Sequence, residues 1–162
     1  HGNLLDDNSA KVMAKNAAYL VPTNVTYQAL YKHGKEFGFP EASMEKLEDV
    51  LEVGLRAVEI AKNNGVKIGH GSDLLGKCQT YQSDEFVLKA EVLGSYEAIR
   101  QATEVNAEIL NMSDQLGVIK SGAFADIVII DGNPISDISL LTNQGQYMPA
   151  IMKDGIFYKN TL

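Results

Sequence analysis

Two short apolar runs, "AYLVPT" at 18–23 and "VKIG" at 66–69, each follow one helical stretch and precede another, and this alternation is what most narrows the fold. Residues 7–17, "DNSAKVMAKNA", predict a short helix with acids at its start, and the strand after it is stopped by Pro22. A second helix runs from about Tyr27 to Phe37 and is ended by Gly38 and Pro40. Ser43 then caps a long helix to about Asn64, on which Leu47, Leu51, Leu55, Val58 and Ala61 recur as one apolar face. Gly65 closes it. After the strand and a loop at 74–82, Ser83, Ser95 and Thr103 each offer a helix start. The order predicts parallel βα units with right-handed crossovers.

Near Met112 the texture changes. "LGVIKSGAFADIVIIDGNP" at 116–134 and "YMPAIMKDGIFYKN" at 147–160 are short β-rich runs broken by Gly, Asn and Pro turns. The chain therefore divides into an α/β part, 1–112, and a separate β segment, 113–162. Two parallel strands do not make a sheet covered on both faces. A barrel of eight βα units takes roughly 250 residues, so the expected fold is the last βα units of a (β/α)8 barrel with an appended set of strands, and the chain is expected to be incomplete.

Composition removes several function classes. The 162 residues carry a net charge of −7, with dispersed lysines, which argues against a nucleic-acid surface. Cys78 is the single cysteine, so the chain forms no internal disulfide and no cysteine-built zinc site, in keeping with a reducing cytoplasm. No apolar run approaches the roughly 20 residues that span a bilayer, so no membrane partner is expected. The first residues, "HGNLLDDNSA", lack the regions of a signal peptide, although a cleaved one stays open because no initiator Met is present.

The stretch "GVKIGHGSDLLG" at 65–76 places one carboxylate, Asp73, where a strand breaks into a loop, and strand tips are where α/β enzymes hold their reactive groups. Alternation along the strand puts Gly71, Gly69 and Lys67 on the side of Asp73 and turns Ser72, His70 and Ile68 toward the helices. His70 is accordingly expected to be packed or hydrogen-bonded rather than a ligand. His1 opens a loop that enters a helix, which is the position of another strand tip. Imidazole and carboxylate together suit zinc and related divalent ions, but two ligands fall short of the three a catalytic zinc needs. Asp73 could equally cap its own loop.

Tyr27 and Thr23 lie just past the first strand and could line a substrate pocket, or Tyr27 could pack on the following helix. Lys77, Gln79 and Tyr81 sit in a loop long enough to reach a ligand, Cys78 reads as a small buried thiol, and His33 as a solvated surface residue. Asp126 is expected to satisfy backbone donors at a turn. Asp131, Gly132, Asn133 and Pro134 read as turn chemistry.

Taken in order, "HGNLLDD", "YLVPTNVTY", "GVKIGHGSDLLG", "ATEVNAEILNM", "LGVIKSGAFADIVIIDGNP" and "IMKDGIFYKN" resemble the C-terminal part of a metal-dependent amidohydrolase, of the imidazolonepropionase-like and prolidase-like group. The resemblance implies a TIM-type barrel with a small β-sandwich. It implies metal ligands from a His-X-His motif on strand 1, an acid or carboxylated Lys on strand 4, His on strands 5 and 6, and Asp on strand 8. His1 matches the strand-6 His, and Asp73 the strand-8 Asp, which in such enzymes binds metal and also takes a proton from the attacking water. The earlier ligands have no counterpart in this chain.

The leading expectation is thus an amidohydrolase that cleaves a dipeptide or N-acyl amino acid with metal-activated water. It would use His1 and Asp73 as metal ligands, Asp73 as the catalytic acid-base group, Tyr27 at the substrate, and one or two divalent ions, zinc first among them. The isolated chain is expected to lack a full site and to need the N-terminal half of the barrel as its partner. The rival expectation is a non-catalytic fragment or truncated paralogue that self-associates as a homo-oligomer or pairs with a complementary chain through its open barrel edge. A third reading, copper held by the amine and imidazole of a terminal His1, is opposed by the resemblance, which places His1 mid-chain.

Overall fold

A computed structural model describes residues 1–162, the side chain of residue 52 excepted. The first helix, α1 (Asp7–Lys15), is capped by Asp6, whose carboxylate accepts from the Ser9 backbone N–H at 2.7 Å. It leads into β1 (Tyr19–Leu20), which pairs in parallel with β2 (Lys67–Ile68), Tyr19 facing Lys67 and Leu20 facing Ile68. The Gly69 N–H donates to the Leu20 carbonyl at 2.8 Å and carries the pairing one step further.

Two helices, α2 (Asn24–His33) and α3 (Glu41–Asn63), make the crossover between these strands. Both start earlier than the sequence suggests. Helix α2 begins at Asn24, directly after the strand tip, so Tyr27 lies within its first turn. Pro40, read as a terminator, is the N-cap of α3, and Ser43 sits inside the first turn, its N–H donating to the Pro40 carbonyl at 2.9 Å. A proline's fixed φ suits a helix start as well as a helix end. The apolar face of α3 is buried at Val58 and Ala61, which pack with Ala10, Leu20, Val66 and Ile68. Leu47 and Leu51 are half-buried, and Leu55 joins a second cluster of Val25, Ala29, Leu74, Cys78 and Leu88.

A 3₁₀ segment (Gly76–Asp84) precedes α4 (Glu85–Leu93), so Ser83 lies ahead of the helix and does not cap it. After Gly94, at φ +83°, α5 (Ser95–Arg100) runs through a π-helical turn (Gln101–Val105) into α6 (Asn106–Ile109). Thr103 starts no helix. Its hydroxyl donates back to the Ile99 carbonyl at 2.9 Å, which satisfies it inside the continuous helix.

The C-terminal strands β3 (Ile127–Ile129), β4 (Ala150–Lys153) and β5 (Ile156–Asn160) form an antiparallel sheet in the order β3–β4–β5. Asp126 closes the β4–β5 turn by accepting from the Asp154 N–H at 2.7 Å. At Gly117, φ +72°, a Cβ would stand 2.5 Å from the Thr103 carbonyl, so only glycine lets the chain pass this close to the helix backbone. Among the described residues, no helix is long and apolar enough to cross a membrane.

Candidate active site

The N-terminal turn is pinned to the start of α2. Asn3 is buried and donates from Nδ2 to Asn24 Oδ1 at 2.8 Å, which brings the preceding His1 beside the tip of β1. There His1 Nδ1 and Thr23 Oγ1 are hydrogen-bonded at 2.9 Å, and His1 Nε2 stands 3.4 Å from Asp73 Oδ2. His1 and Asp73 are each more than half exposed, at 58% and 57%, whereas Thr23 is 4% exposed. The structure thus unites the two residues matched to metal ligands and adds a third, Thr23, at their side.

Asp73 reaches this position by a kink that strand alternation does not anticipate. Its φ is +50°, and the strand pairing has ended before it. The Thr26 hydroxyl donates to the Ser72 carbonyl and ties the kinked loop to the first turn of α2. Ile68 faces the helices, in the core with Val58 and Ala61, and Lys67 lies on the open side of the strand. It is exposed, bonded to Glu108, and lies over the Tyr19 ring at 5.6 Å. Side-chain parity cannot be carried through a left-handed residue.

His70 stacks on Phe86 with ring centroids 4.1 Å apart. Burial, aided by the nearby Lys89 charge, pushes its pKa down to about 3, so the imidazole is neutral. Its backbone is clamped by Asn106, which accepts from the His70 N–H and donates to the His70 carbonyl, both at 2.9 Å. The "TEVNAEIL" stretch therefore fixes the strand end from which Asp73 projects, and the π-helical turn beside it sets Asn106 in place. Replacing Asn106 by Ala orphans both groups and is expected to destabilise the protein by about 1–3 kcal/mol in urea unfolding.

The loop after Asp73 is latched to α2 and the segment following it. Tyr81 O–H and His33 Nε2 are hydrogen-bonded at 2.9 Å, and Lys77 bonds Glu36 at 2.9 Å. His33 is consequently not a solvated residue. Its side chain is 19% exposed, packed between Phe37 and Tyr81. Cys78 is buried, and Tyr27 is half-buried. A cleft of about 740 Å³ between α2 and α3, lined by Tyr31, Lys35, Met44 and Glu48 among others, includes neither His1, Tyr27 nor Asp73.

Two buried ionisable residues on α4 escaped the sequence reading. Glu85 accepts from the Val25 N–H at 2.8 Å, and Lys89 Nζ donates to the Gly69 carbonyl at 2.6 Å. Both side chains are fully buried. Burial pushes the Glu85 carboxyl up to about 8 and the Lys89 ammonium down to about 8. The signal available was their spacing, since Glu85, Leu88 and Lys89 share one face of a helix whose other members are mostly apolar.

Among the described residues no group of three or more His, Cys, Asp or Glu side chains is placed to hold a metal ion. His1 and Asp73 remain a pair within this chain. With that geometry in view, residues 1–154 match the amidohydrolase family, and the chain belongs to it. Members of this family are generally metal-dependent. Among solved structures, a prolidase complexed with N-methylphosphonate-L-proline is 50% identical, with a TM-score of 0.94 over 99% of this chain and 39% of that one. A second amidohydrolase is 49% identical, with a TM-score of 0.95 over 100% of this chain and 39% of its own. A Xaa-Pro dipeptidase with methionine bound in its active site is 33% identical, with a TM-score of 0.85 over 99% and 39%. A search of curated proteins returned no match. The chain thus spans about two fifths of the length of these structures, and its fold is part of a TIM-type barrel with a small antiparallel sheet.

Proposed function

We propose that this chain carries the strand-6 and strand-8 ligands of a prolidase-like amidohydrolase, and that the whole enzyme cleaves the amide bond of a dipeptide with water activated by a divalent ion, zinc first. The carrying observation is the approach of His1 Nε2 to Asp73 Oδ2 at 3.4 Å across two separate loops. The pair fits such an ion. Two ligands about 2.1 Å from a tetrahedral zinc stand about 3.4 Å apart, and imidazole nitrogen with carboxylate oxygen is a suitable donor set. When bound, the ion supplies Lewis acidity and makes a water acidic enough to attack a carbonyl near neutral pH.

This chain's own residues then have separable tasks. His1 offers the lone pair of Nε2. Asp73, open to the site and held by its kinked loop, takes the proton of the attacking water and delivers it to the leaving amine. In this reading the water oxygen first joins the carbonyl carbon as Asp73 takes a proton, and the C–N bond breaks afterwards as that proton reaches the nitrogen, so that a neutral amine and a carboxylic acid are released. Tyr27, in the first turn of α2, is assigned to the substrate side of the site. Residues 1–112 form the barrel part and 113–162 the sheet segment. The remaining ligands come from the part of the barrel outside this chain.

Proline as the second residue of the substrate is supported by the identity with a prolidase that binds a proline phosphonate. Intact enzyme is expected to hydrolyse Xaa-Pro dipeptides, to lose that activity on treatment with a chelator, and to regain it with zinc. Ninhydrin or coupled amino-acid assays over a dipeptide panel, with metal analysis of the same sample, provide the test. Metal-independent hydrolysis, or none across the panel, would reject the reading.

A further inference from the structure

We infer that Thr23 is the positioning residue for His1, accepting the imidazole Nδ1–H so that the Nε2 lone pair points toward Asp73. The inference rests on the metal reading above, and its argument is local.

Thr23 occupies the N-cap of α2, the place where a threonine ordinarily turns its hydroxyl onto its own helix. Here its side chain makes no capping bond. The hydroxyl is spent on His1 Nδ1 at 2.9 Å instead. The vacated capping role is filled from another helix, because buried Glu85 of α4 accepts from the Val25 N–H at 2.8 Å. The arrangement is specific. Without Glu85, the first turn of α2 would compete for the hydroxyl that meets the imidazole.

Direction follows from chemistry. A neutral imidazole that gives its Nε2 lone pair to a cation must carry its proton on Nδ1, and a partner for Nδ1–H fixes both that proton and the ring plane. Thr23 can hold the ring because it is itself buried, being 4% exposed and set between the strand end and the helix.

The test uses the intact enzyme with zinc alone and the variants Thr23→Val and Thr23→Ser. Valine keeps the shape and removes the acceptor, whereas serine restores it. In chelator competition Thr23→Val is expected to bind zinc about ten- to a hundredfold more weakly, and Thr23→Ser to stay close to the parent. In the zinc-loaded protein, labelled at histidine nitrogens, the Nδ1–H resonance of His1 is expected to be slow to exchange with water in the parent and in Thr23→Ser, and to broaden away in Thr23→Val. A merely structural threonine would change stability while leaving both readouts at parent level, and that result overturns the assignment. Parent enzyme that takes up no zinc overturns the metal reading and this inference together, so the two failures are told apart by the parent sample.

Discussion

Replacing Asp73 by Asn in the intact enzyme is expected to lower kcat on an Xaa-Pro dipeptide by about 10²–10⁴-fold, the range associated with losing a positioned acid-base group. Asparagine is the informative choice because the backbone there is left-handed, at φ +50°, and asparagine is among the few residues that visit this region readily. The loop should therefore keep its shape. What asparagine lacks is the ability to take up a proton, together with the negative charge that favours a cation. Initial rates measured beside zinc content separate these two losses. A variant that retains zinc but not turnover assigns proton transfer to Asp73, and one that loses both assigns it mainly to metal retention. Turnover within about tenfold of the parent would remove Asp73 from the chemistry.

The sequence made the order of elements legible because it is written in local terms. Apolar spacing on α3, glycine at the ends of α3 and α4, and turn residues around β3 to β5 all act within a few positions. The pair His1 and Asp73 could be named from motif order, since each ends a strand or opens a loop. Three things were not legible. Pro40 serves equally as an end or a beginning, and only the helix that follows decides between them. The kink at Asp73 has no glycine to announce it and is stabilised from outside, by Thr26 bonding the Ser72 carbonyl. Thr23 could be placed near the site from its position past the first strand, but its bond to His1, like the contacts of Asn106 with His70 and of Glu85 with Val25, joins residues distant in sequence. No spacing rule carries that information.

Glu85→Ala is expected to be the most damaging substitution for stability, at about 3–5 kcal/mol at pH 5. It removes the acceptor serving the Val25 N–H and leaves a cavity in a fully buried region. The pH dependence tests which form of the carboxyl is buried. Desolvation raises Glu85 from 4.5 to about 8, so the folded protein holds a proton there that the unfolded chain releases. A raised carboxyl contributes stability that is fully present below 4.5 and is lost as pH climbs through about 8. The deficit of Glu85→Ala should therefore be larger at pH 5 than at pH 8 in paired urea titrations. Lys89 runs the other way: lowered from 10.5 to about 8, it contributes above 10.5 and loses that contribution as pH falls toward about 8. The second carboxyl oxygen, Oε1, is buried without a partner among the described residues, a condition that a neutral acid tolerates better than an anion. A deficit equal at both pH values, or greater at pH 8, would mean that Glu85 is ionised throughout.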